Sequence, residues 1–125
     1  MGDRVLITFK TTDKATKTTD YSPTIYMHWA GEGAKQMLLN AAPALRRGDI
    51  GYSAARFCGE CHKSLVGVTG LGLFAAPDPT KPDFDWNEFS HGDAGVYVVD
   101  VQTGKVTAHG GYGTGFQIPV AEMGT

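Results

Sequence analysis

The chain has 125 residues, with 11 lysines and arginines against 13 aspartates and glutamates, and it contains 17 glycines. A chain of this length suits one α+β domain over residues 1–125, whose core needs neither a disulfide nor a metal. The formal net charge of −2 gives no general attraction to a nucleic-acid backbone or an anionic membrane, and no apolar run is long enough to span a bilayer. We therefore expect a soluble, cytoplasmic protein without cofactors.

The first part of the chain is predicted to form two paired strands. Apolar residues alternate over 5–10, the period of a strand with one buried face. The threonine-rich stretch 11–22 is predicted to be a mobile loop. A second strand over 24–29 places Tyr26 and His28 on one face, opposite its apolar residues.

Two helices are predicted next. Apolar residues recur at intervals of three and four over 34–45, but Pro43 removes an amide donor, so this helix should end or kink just before it. A second helix is predicted over 52–65, with Asp49 or Ser53 available as its cap. Both helices are expected to pack on one face of the sheet.

The second half of the chain is rich in turns. Its predicted elements, in order, are an irregular strand over 66–75, an acidic loop over 77–88, strands over 95–101 and 105–109 around Gly104, a flexible or ligand-cradling segment over 110–116, and an edge strand over 117–120. The expected fold is a single α+β domain with an antiparallel sheet of four to five strands.

Cys58, Cys61 and His62 have the C-x-x-C-H spacing by which c-type haem is attached. Haem attachment requires export from the cytoplasm, and the segment 1–10 reads as a strand without the apolar region of a signal peptide. Ala54, Cys58, Cys61 and Leu65 also form one apolar stripe on the predicted helix, with Arg56, Glu60 and Lys63 on the other side. We therefore predict reduced thiols packed in the core, and keep a haem or zinc site as alternatives.

Catalytic motifs are not evident in the sequence. It contains no G-x-S-x-G nucleophile, H-E-x-x-H pair or EF-hand loop. A cysteine adjacent to His62 on a helix points about 100 degrees away from it, which is unfavourable for a nucleophile and its base. The two glycine-rich groups, 67–72 and 110–115, lack the spacing of phosphate-binding loops. We therefore expect a protein that is not an enzyme.

A candidate ligand site is predicted from four polar or aromatic residues: Tyr26, His28, Arg56 and Tyr52. If the second helix packs so that Arg56 overhangs the strand face with Tyr26 and His28, then a guanidinium, an imidazole and an aromatic ring could hold an anion. The alternative is an exposed strand face beside a solvated arginine.

The order of short motifs resembles a family of small proteins encoded by phages and prophages. Its members begin Met-Gly-Asn-Arg before a strand and continue with Tyr-Leu-His-Trp-Asn-Gly-Gly before a helix. The matching residues here are Met1-Gly2-Asp3-Arg4-Val5, Ile25-Tyr26-Met27-His28-Trp29-Ala30-Gly31, Ala54-Ala55-Arg56 and Gly95-Val96-Tyr97. This chain departs from the pattern at Asp3 and Ala30, where the family has asparagine, and in its C-x-x-C-H unit.

The resemblance implies an accessory phage protein that acts in the infected bacterial host against a defence system. We expect it to act by binding, and to sequester a small anionic signal such as a cyclic nucleotide within a homo-oligomer. The alternative is direct inhibition of a host defence protein such as a CRISPR effector, with the acidic loop containing Asp83, Asp85, Trp86 and Glu88 as the contact surface. Neither reading predicts direct binding to nucleic acid. A c-type haem protein is a more remote possibility.

Overall fold

A seven-stranded mixed sheet organises the chain in the computed structural model, which describes residues 3–28, 30–64 and 70–124. The strands are β1 (Val5–Asp13), β2 (Thr18–Tyr21), β3 (Thr24–Met27), β4 (Leu71–Phe74), β5 (Gly95–Asp100), β6 (Lys105–His109) and β7 (Phe116–Gln117). The helices are α1 (Ala34–Ala41), α2 (Ile50–Ser64) and α3 (Trp86–Phe89), with short 3-10 turns at Ala42–Ala44 and Val120–Glu122.

The strand order is β4-β3-β1-β5-β6-β7, with β2 also paired to β1. The prediction of an α+β fold is confirmed. The prediction of an antiparallel sheet of four to five strands is wrong, because β1 and β5 run parallel, with Leu6 opposite Val96 and Thr8 opposite Val98. Between these two strands the chain passes through β2, β3, both long helices, β4 and α3. They are therefore joined by a long connection, as parallel pairing requires.

The stretch predicted as a mobile loop, 11–22, instead forms most of a hairpin. β1 continues to Asp13 and pairs with β2, because threonine is well suited to a pleated, half-exposed strand. The pairing register shifts by one residue between β2 and β3, at Ser22 and Pro23. This is a β-bulge, in which the Ser22 hydroxyl accepts a hydrogen bond from the amide of Phe9 at 3.0 Å.

The two faces of the sheet are covered by different elements. The odd-numbered residues of β1 point to the face that packs against α1 and α2, which we call the inner face. There Phe57 of α2 meets Phe9 edge-to-face, with ring centroids 5.7 Å apart, and both rings are fully buried. The hydrophobic core lies between this face and the two helices.

Local sequence signals account for the end of α1 and the start of α2. α1 ends at Ala41, and Pro43 lies in the 3-10 turn that follows. The prediction of a helix from residue 52 to residue 65 is confirmed as far as residue 64, with a start two residues earlier, and Leu65 lies outside the described residues. Asp49 caps α2 by accepting a 2.9 Å hydrogen bond from the amide of Tyr52.

The even-numbered residues of β1 point to the opposite face of the sheet, which we call the outer face. The sequence predicts that only one face of β1 is buried, but Leu6 is fully buried on the outer face too. The loop that carries α3 lies on this face, where its Trp86 stacks on His109 with centroids 4.9 Å apart and planes 11° apart. Both faces of the sheet are therefore covered, the outer one only in part.

The hairpin of β5 and β6 is confirmed, and Gly104 in its turn has a φ of +78°, a conformation that glycine adopts without strain.

The segment after β6, over 110–116, was predicted to be flexible or to cradle a ligand, but it is held against the start of β5. The amide of Tyr112 donates to the carbonyl of Asp93 at 2.9 Å, and that of Gly113 donates to Ala94 at 3.0 Å. The edge strand predicted over 117–120 is confirmed only at its first residue, because β7 spans Phe116–Gln117 and a 3-10 turn begins at Val120.

Candidate functional site

Tyr26 and His28 lie together on the outer face, at the end of β3. The Tyr26 hydroxyl and Nδ1 of His28 are 2.7 Å apart, within hydrogen-bond distance. This pairing follows from the strand period, because residues two apart on a strand share one face. Both side chains are only partly exposed, so the hydrogen bond fixes how the two rings are presented to solvent.

Two further rings complete what we call the ring cluster, defined as Tyr26, His28, Phe74 and His91. Phe74 stacks on Tyr26, with centroids 5.2 Å apart and planes 18° apart. His91 lies 5.5 Å from Tyr26 and 5.3 Å from Phe74 between ring centroids. Phe74 comes from the adjacent β4 and His91 from the loop after α3, so sequence analysis could not connect them with β3.

A charged pair stands beside the ring cluster. Nε of Arg4 lies 3.0 Å from a carboxylate oxygen of Asp93, and the Arg4 amide donates to the same oxygen. These hydrogen bonds, led by the one from the backbone amide, lower the pKa of Asp93, and the nearby imidazole of His28 lowers it further. Arg4 is thus held in place at the edge of the cluster, on the face to which Tyr26 points.

Asp3 ties the segment after β3 to the rest of this end of the sheet. Its carboxylate accepts hydrogen bonds from the amide of Glu32, at 2.8 Å, and from the hydroxyl of Tyr112. The hydrogen bond to Asp3 raises the pKa of Tyr112. Gly31 packs so closely on the Asp3 carboxylate that any Cβ there would collide with it. The backbone of His28 is held on both sides as well, because its carbonyl accepts from the Asp3 amide at 3.1 Å and its amide donates to the Gly70 carbonyl at 2.9 Å.

Tyr52 and Arg56 lie on α2, on the other side of the sheet from Tyr26. The Arg56 guanidinium is 5.3 Å from the centre of the Tyr52 ring, and Arg46 approaches the same ring at 4.7 Å. Arg56 also donates to the carbonyl of Ala44 at 3.3 Å. The four predicted site residues therefore form two separate pairs, and α2 does not overhang the face that carries Tyr26 and His28.

Cys61 is fully buried, and its sulfur lies 3.7 Å from the sulfur of Met27. Burial, followed by the charges of Cys58 and Glu60, raises the pKa of Cys61 to about 12. Burial also raises the pKa of Cys58, which is half-buried. The prediction that the thiols are core residues is confirmed for Cys61 and holds in part for Cys58. The raised pKa values disfavour the thiolate, which is the nucleophilic form of cysteine.

His62, the third member of the C-x-x-C-H unit, is exposed on α2. Covalent haem attachment would need both sulfurs at one accessible surface, and the position of Cys61 does not provide this. Within 3–28, 30–64 and 70–124, no group of three or more histidine, cysteine, aspartate or glutamate side chains is placed to hold a metal ion. The same ranges contain no helix with the length and hydropathy of a membrane span.

The acidic loop predicted as a contact surface is attached to the outer face by its own aromatic residues. Trp86 contacts Tyr21, Phe84, Phe89 and His109. Asp85 caps α3 by accepting a 2.9 Å hydrogen bond from the Asn87 amide. Asp83, Asp85 and Glu88 remain exposed. Trp86 thus anchors the loop to its own sheet, whereas the carboxylates are presented outward.

Comparisons of the chain with protein-family models, with curated proteins and with solved structures find no match. The function must therefore be argued from the geometry of the ring cluster and its surroundings.

Proposed function

We propose that this protein is a non-catalytic binding protein of a phage, which acts against host defence by sequestering a small anionic ligand that carries an aromatic ring, such as a cyclic nucleotide. The ligand would bind on the outer face, at the ring cluster. This proposal keeps Tyr26 and His28 from the predicted site, adds Phe74 and His91, and leaves Tyr52 and Arg56 outside it.

The observation that carries the proposal is a group of four rings at a partly exposed position, in which Tyr26 contacts His28, Phe74 and His91. Phe74 keeps 40% of its surface exposed although it stacks on Tyr26, and His91 is exposed. Aromatic rings presented in this way favour the flat face of a nucleobase, whose stacking depends little on base identity. A planar, ring-containing ligand is therefore the best match to the cluster.

The charge next to the rings favours an anion. Arg4 is fixed beside the cluster by Asp93, and the imidazoles of His28 and His91 add further polar groups to it. Arginine is well suited to phosphate because its donors form a rigid planar fork. Since Asp93 offsets part of the charge of Arg4, the expected affinity comes from ring stacking combined with hydrogen bonds, and less from long-range attraction.

The motifs that resemble the phage family support this location. Three of the four matching segments meet at one end of the sheet: Val5 pairs with both Met27 and Gly95, and the amide of Asp3 donates to the carbonyl of His28 at 3.1 Å. The fourth segment, which contains Arg56, lies on α2. Three short motifs separated by tens of residues thus converge beside the ring cluster.

Calorimetric titration with a panel of cyclic mononucleotides and dinucleotides tests the proposal. We expect one or more of them to bind, and we expect Phe74→Ala and His91→Ala each to weaken binding about 10- to 100-fold, since stacking a base on one ring contributes about 1–3 kcal/mol. Tyr52→Ala is the matched control, because it removes an exposed ring from α2. No heat with any ligand, or equal losses in all three variants, would count against the proposal.

Direct inhibition of a host defence protein is the second candidate. The exposed carboxylates of Asp83, Asp85 and Glu88 around a shallow depression of the α3 loop favour it, because an acidic surface suits a basic, nucleic-acid-binding target. Charge reversal by Asp83→Lys and Glu88→Lys should then abolish inhibition of a purified CRISPR effector, whereas Glu122→Lys, at an exposed carboxylate elsewhere, should not. Full inhibition by the reversed variant would reject this candidate.

A further inference from the structure

The outer edge of β4 presents unpaired backbone groups. In antiparallel pairing, alternate residues point their amide and carbonyl groups toward each neighbour. The amide of His28 donates to the carbonyl of Gly70 at 2.9 Å, so Gly70 and, further along, Gly72 and Phe74 point toward β3. The peptide groups of Leu71 and Leu73 therefore point away from the sheet. Among the described residues, no strand pairs with that edge.

This edge lacks charges and prolines, two of the features that usually protect a sheet edge from pairing with another chain. Residues 70–76 contain neither a charge nor a proline, and Leu73 is 63% exposed. The sheet's other margins differ, because β7 has only two residues and β2 carries Asp20. β4 is thus the edge best suited to accept a further strand.

We infer that the outer edge of β4 pairs with β4 of a second copy of this chain, antiparallel and about a two-fold axis at Gly72. In this register Leu71 of one copy exchanges hydrogen bonds with Leu73 of the other, so the outward peptide groups of both strands are satisfied. Gly72 faces Gly72, and Phe74 faces Gly70 of the second copy. The inference goes beyond ligand binding and does not require it.

Side-chain sizes favour a second copy of this chain over an unrelated strand. A Cβ built on Gly72 meets nothing within 4 Å, so the centre of the pairing is free of steric conflict. The Phe74 rings, which stack on Tyr26 within their own subunit, have glycines opposite them and therefore meet no side chain of the second copy there. A neutral strand paired with itself also brings no like charges together. The register is therefore self-complementary on the outer face.

The inner side of the same edge is apolar as well. Leu73 lines a groove of about 280 Å³ together with Pro23, Gly51, Ala54, Ala55 and Cys58. In the inferred register Leu71 of the second copy lies opposite Leu73 and covers part of this groove. Burial of that apolar surface stabilises the dimer, in addition to the hydrogen bonds between the paired strands.

The pairing places the two ring clusters on one continuous face, because a two-fold axis perpendicular to the sheet keeps the outer faces of both copies on the same side of the combined sheet. The Tyr26 positions of the two copies are separated by three strand spacings, or about 14 Å. The floor between them consists of Gly72 from both copies. A ligand bound at one cluster would then also contact the second subunit.

Sedimentation analysis of the full-length protein over a wide concentration range tests the inference. We expect a reversible dimer whose dissociation constant rises at least about tenfold in Leu73→Lys, because a lysine at the pairing edge introduces a charge that must lose water and repel its symmetry mate. Thr18→Lys, an exposed position on β2, is the matched control and should dimerise like the unaltered protein. A monomer at all concentrations, or a dimer unaffected by Leu73→Lys, would overturn the inference.

A cysteine cross-link tests the register itself in a Cys58→Ala background. Directly opposed residues of a non-hydrogen-bonded antiparallel pair have Cβ atoms about 4.5–5.5 Å apart, so Gly72→Cys should give a disulfide-linked dimer on mild oxidation. Leu73→Cys should not, because its symmetry mate lies diagonally, about 7–8 Å away. Cross-linking of Leu73→Cys in place of Gly72→Cys, or of neither variant, would contradict the two-fold at Gly72.

Discussion

The inner and outer faces of the sheet are built from the same strands but are completed in different ways. The inner face is closed by α1 and α2 over aliphatic residues and the Phe9 and Phe57 rings. The outer face is partly covered by one loop with a short helix, and leaves the ring cluster accessible. The comparison indicates that the inner face stabilises the fold, whereas the outer face is available for recognition.

The largest expected effect is on the inner face. Phe57→Ala should lower the free energy of unfolding by about 3–5 kcal/mol, because it removes a fully buried ring and leaves a cavity against Phe9. Phe74→Ala on the outer face, where the ring is partly exposed, should cost only about 1 kcal/mol. Urea unfolding of both variants measures the difference. If both variants lost the same unfolding free energy, the inner face would not be the main source of stability.

Trp86→Ala should have an intermediate effect of about 2 kcal/mol, because the ring is only half-buried although it contacts four others. Its loss should also detach the α3 loop from the outer face, so limited proteolysis should cleave within 77–90 faster than in the unaltered protein. Glu88→Ala, at an exposed position on the same helix, is the control. A variant as stable and as resistant to protease as Glu88→Ala would contradict the anchoring role of Trp86.

Tyr26→Phe should cost about 1 kcal/mol of unfolding free energy, the usual contribution of one hydrogen bond, because it removes the bond to His28. It should also change the tautomer and orientation of the His28 ring, which NMR of the imidazole nitrogens detects. Tyr52→Phe, at a tyrosine that is 51% exposed, should leave both quantities unchanged. Identical His28 spectra in the two variants would argue against a shared, ordered cluster.

The smallest expected effect concerns pH. Burial under Trp86, with the charge of Lys10 as a second cause, lowers the pKa of His109 below its usual value near 6.5. The unfolded chain therefore takes up a proton first, and the free energy of unfolding should fall as pH drops below about 6.5 toward the folded pKa. His109→Gln should remove this part of the pH dependence between pH 7 and 5. If the unfolding free energies of the variant and the unaltered protein changed in parallel between pH 7 and 5, His109 would not be the source of this pH dependence.

The sequence predicted those features that depend on neighbouring residues. Pro43 ends α1, Gly104 turns the chain between β5 and β6, and the helical stripe that includes Cys61 faces the core. Each follows from a local rule about backbone freedom or the period of apolar residues. The α+β class follows from the same elements.

Features that depend on distant residues were missed. The threonine-rich stretch 11–22 has strand propensity, but it shows no alternation of apolar and polar residues that would indicate a buried face. It is ordered by the pairing of β2 with β1. The parallel pairing of β1 with β5 links residues about 90 positions apart. Phe74 and His91 carry no signal that connects them with Tyr26, since one lies in a glycine-rich segment and the other in a loop. Predicted contacts between strands would have been needed to find them.

Mapping of backbone amide shifts during titration with a cyclic nucleotide tests the proposed binding site most directly. Binding at the ring cluster should move the amide signals of β3, β4 and residues 91–93, and leave those around Tyr52 and Arg56 in place. Shifts confined to α2, or a spectrum that stays unchanged at the highest concentration of every cyclic nucleotide in the panel, would contradict binding at the ring cluster.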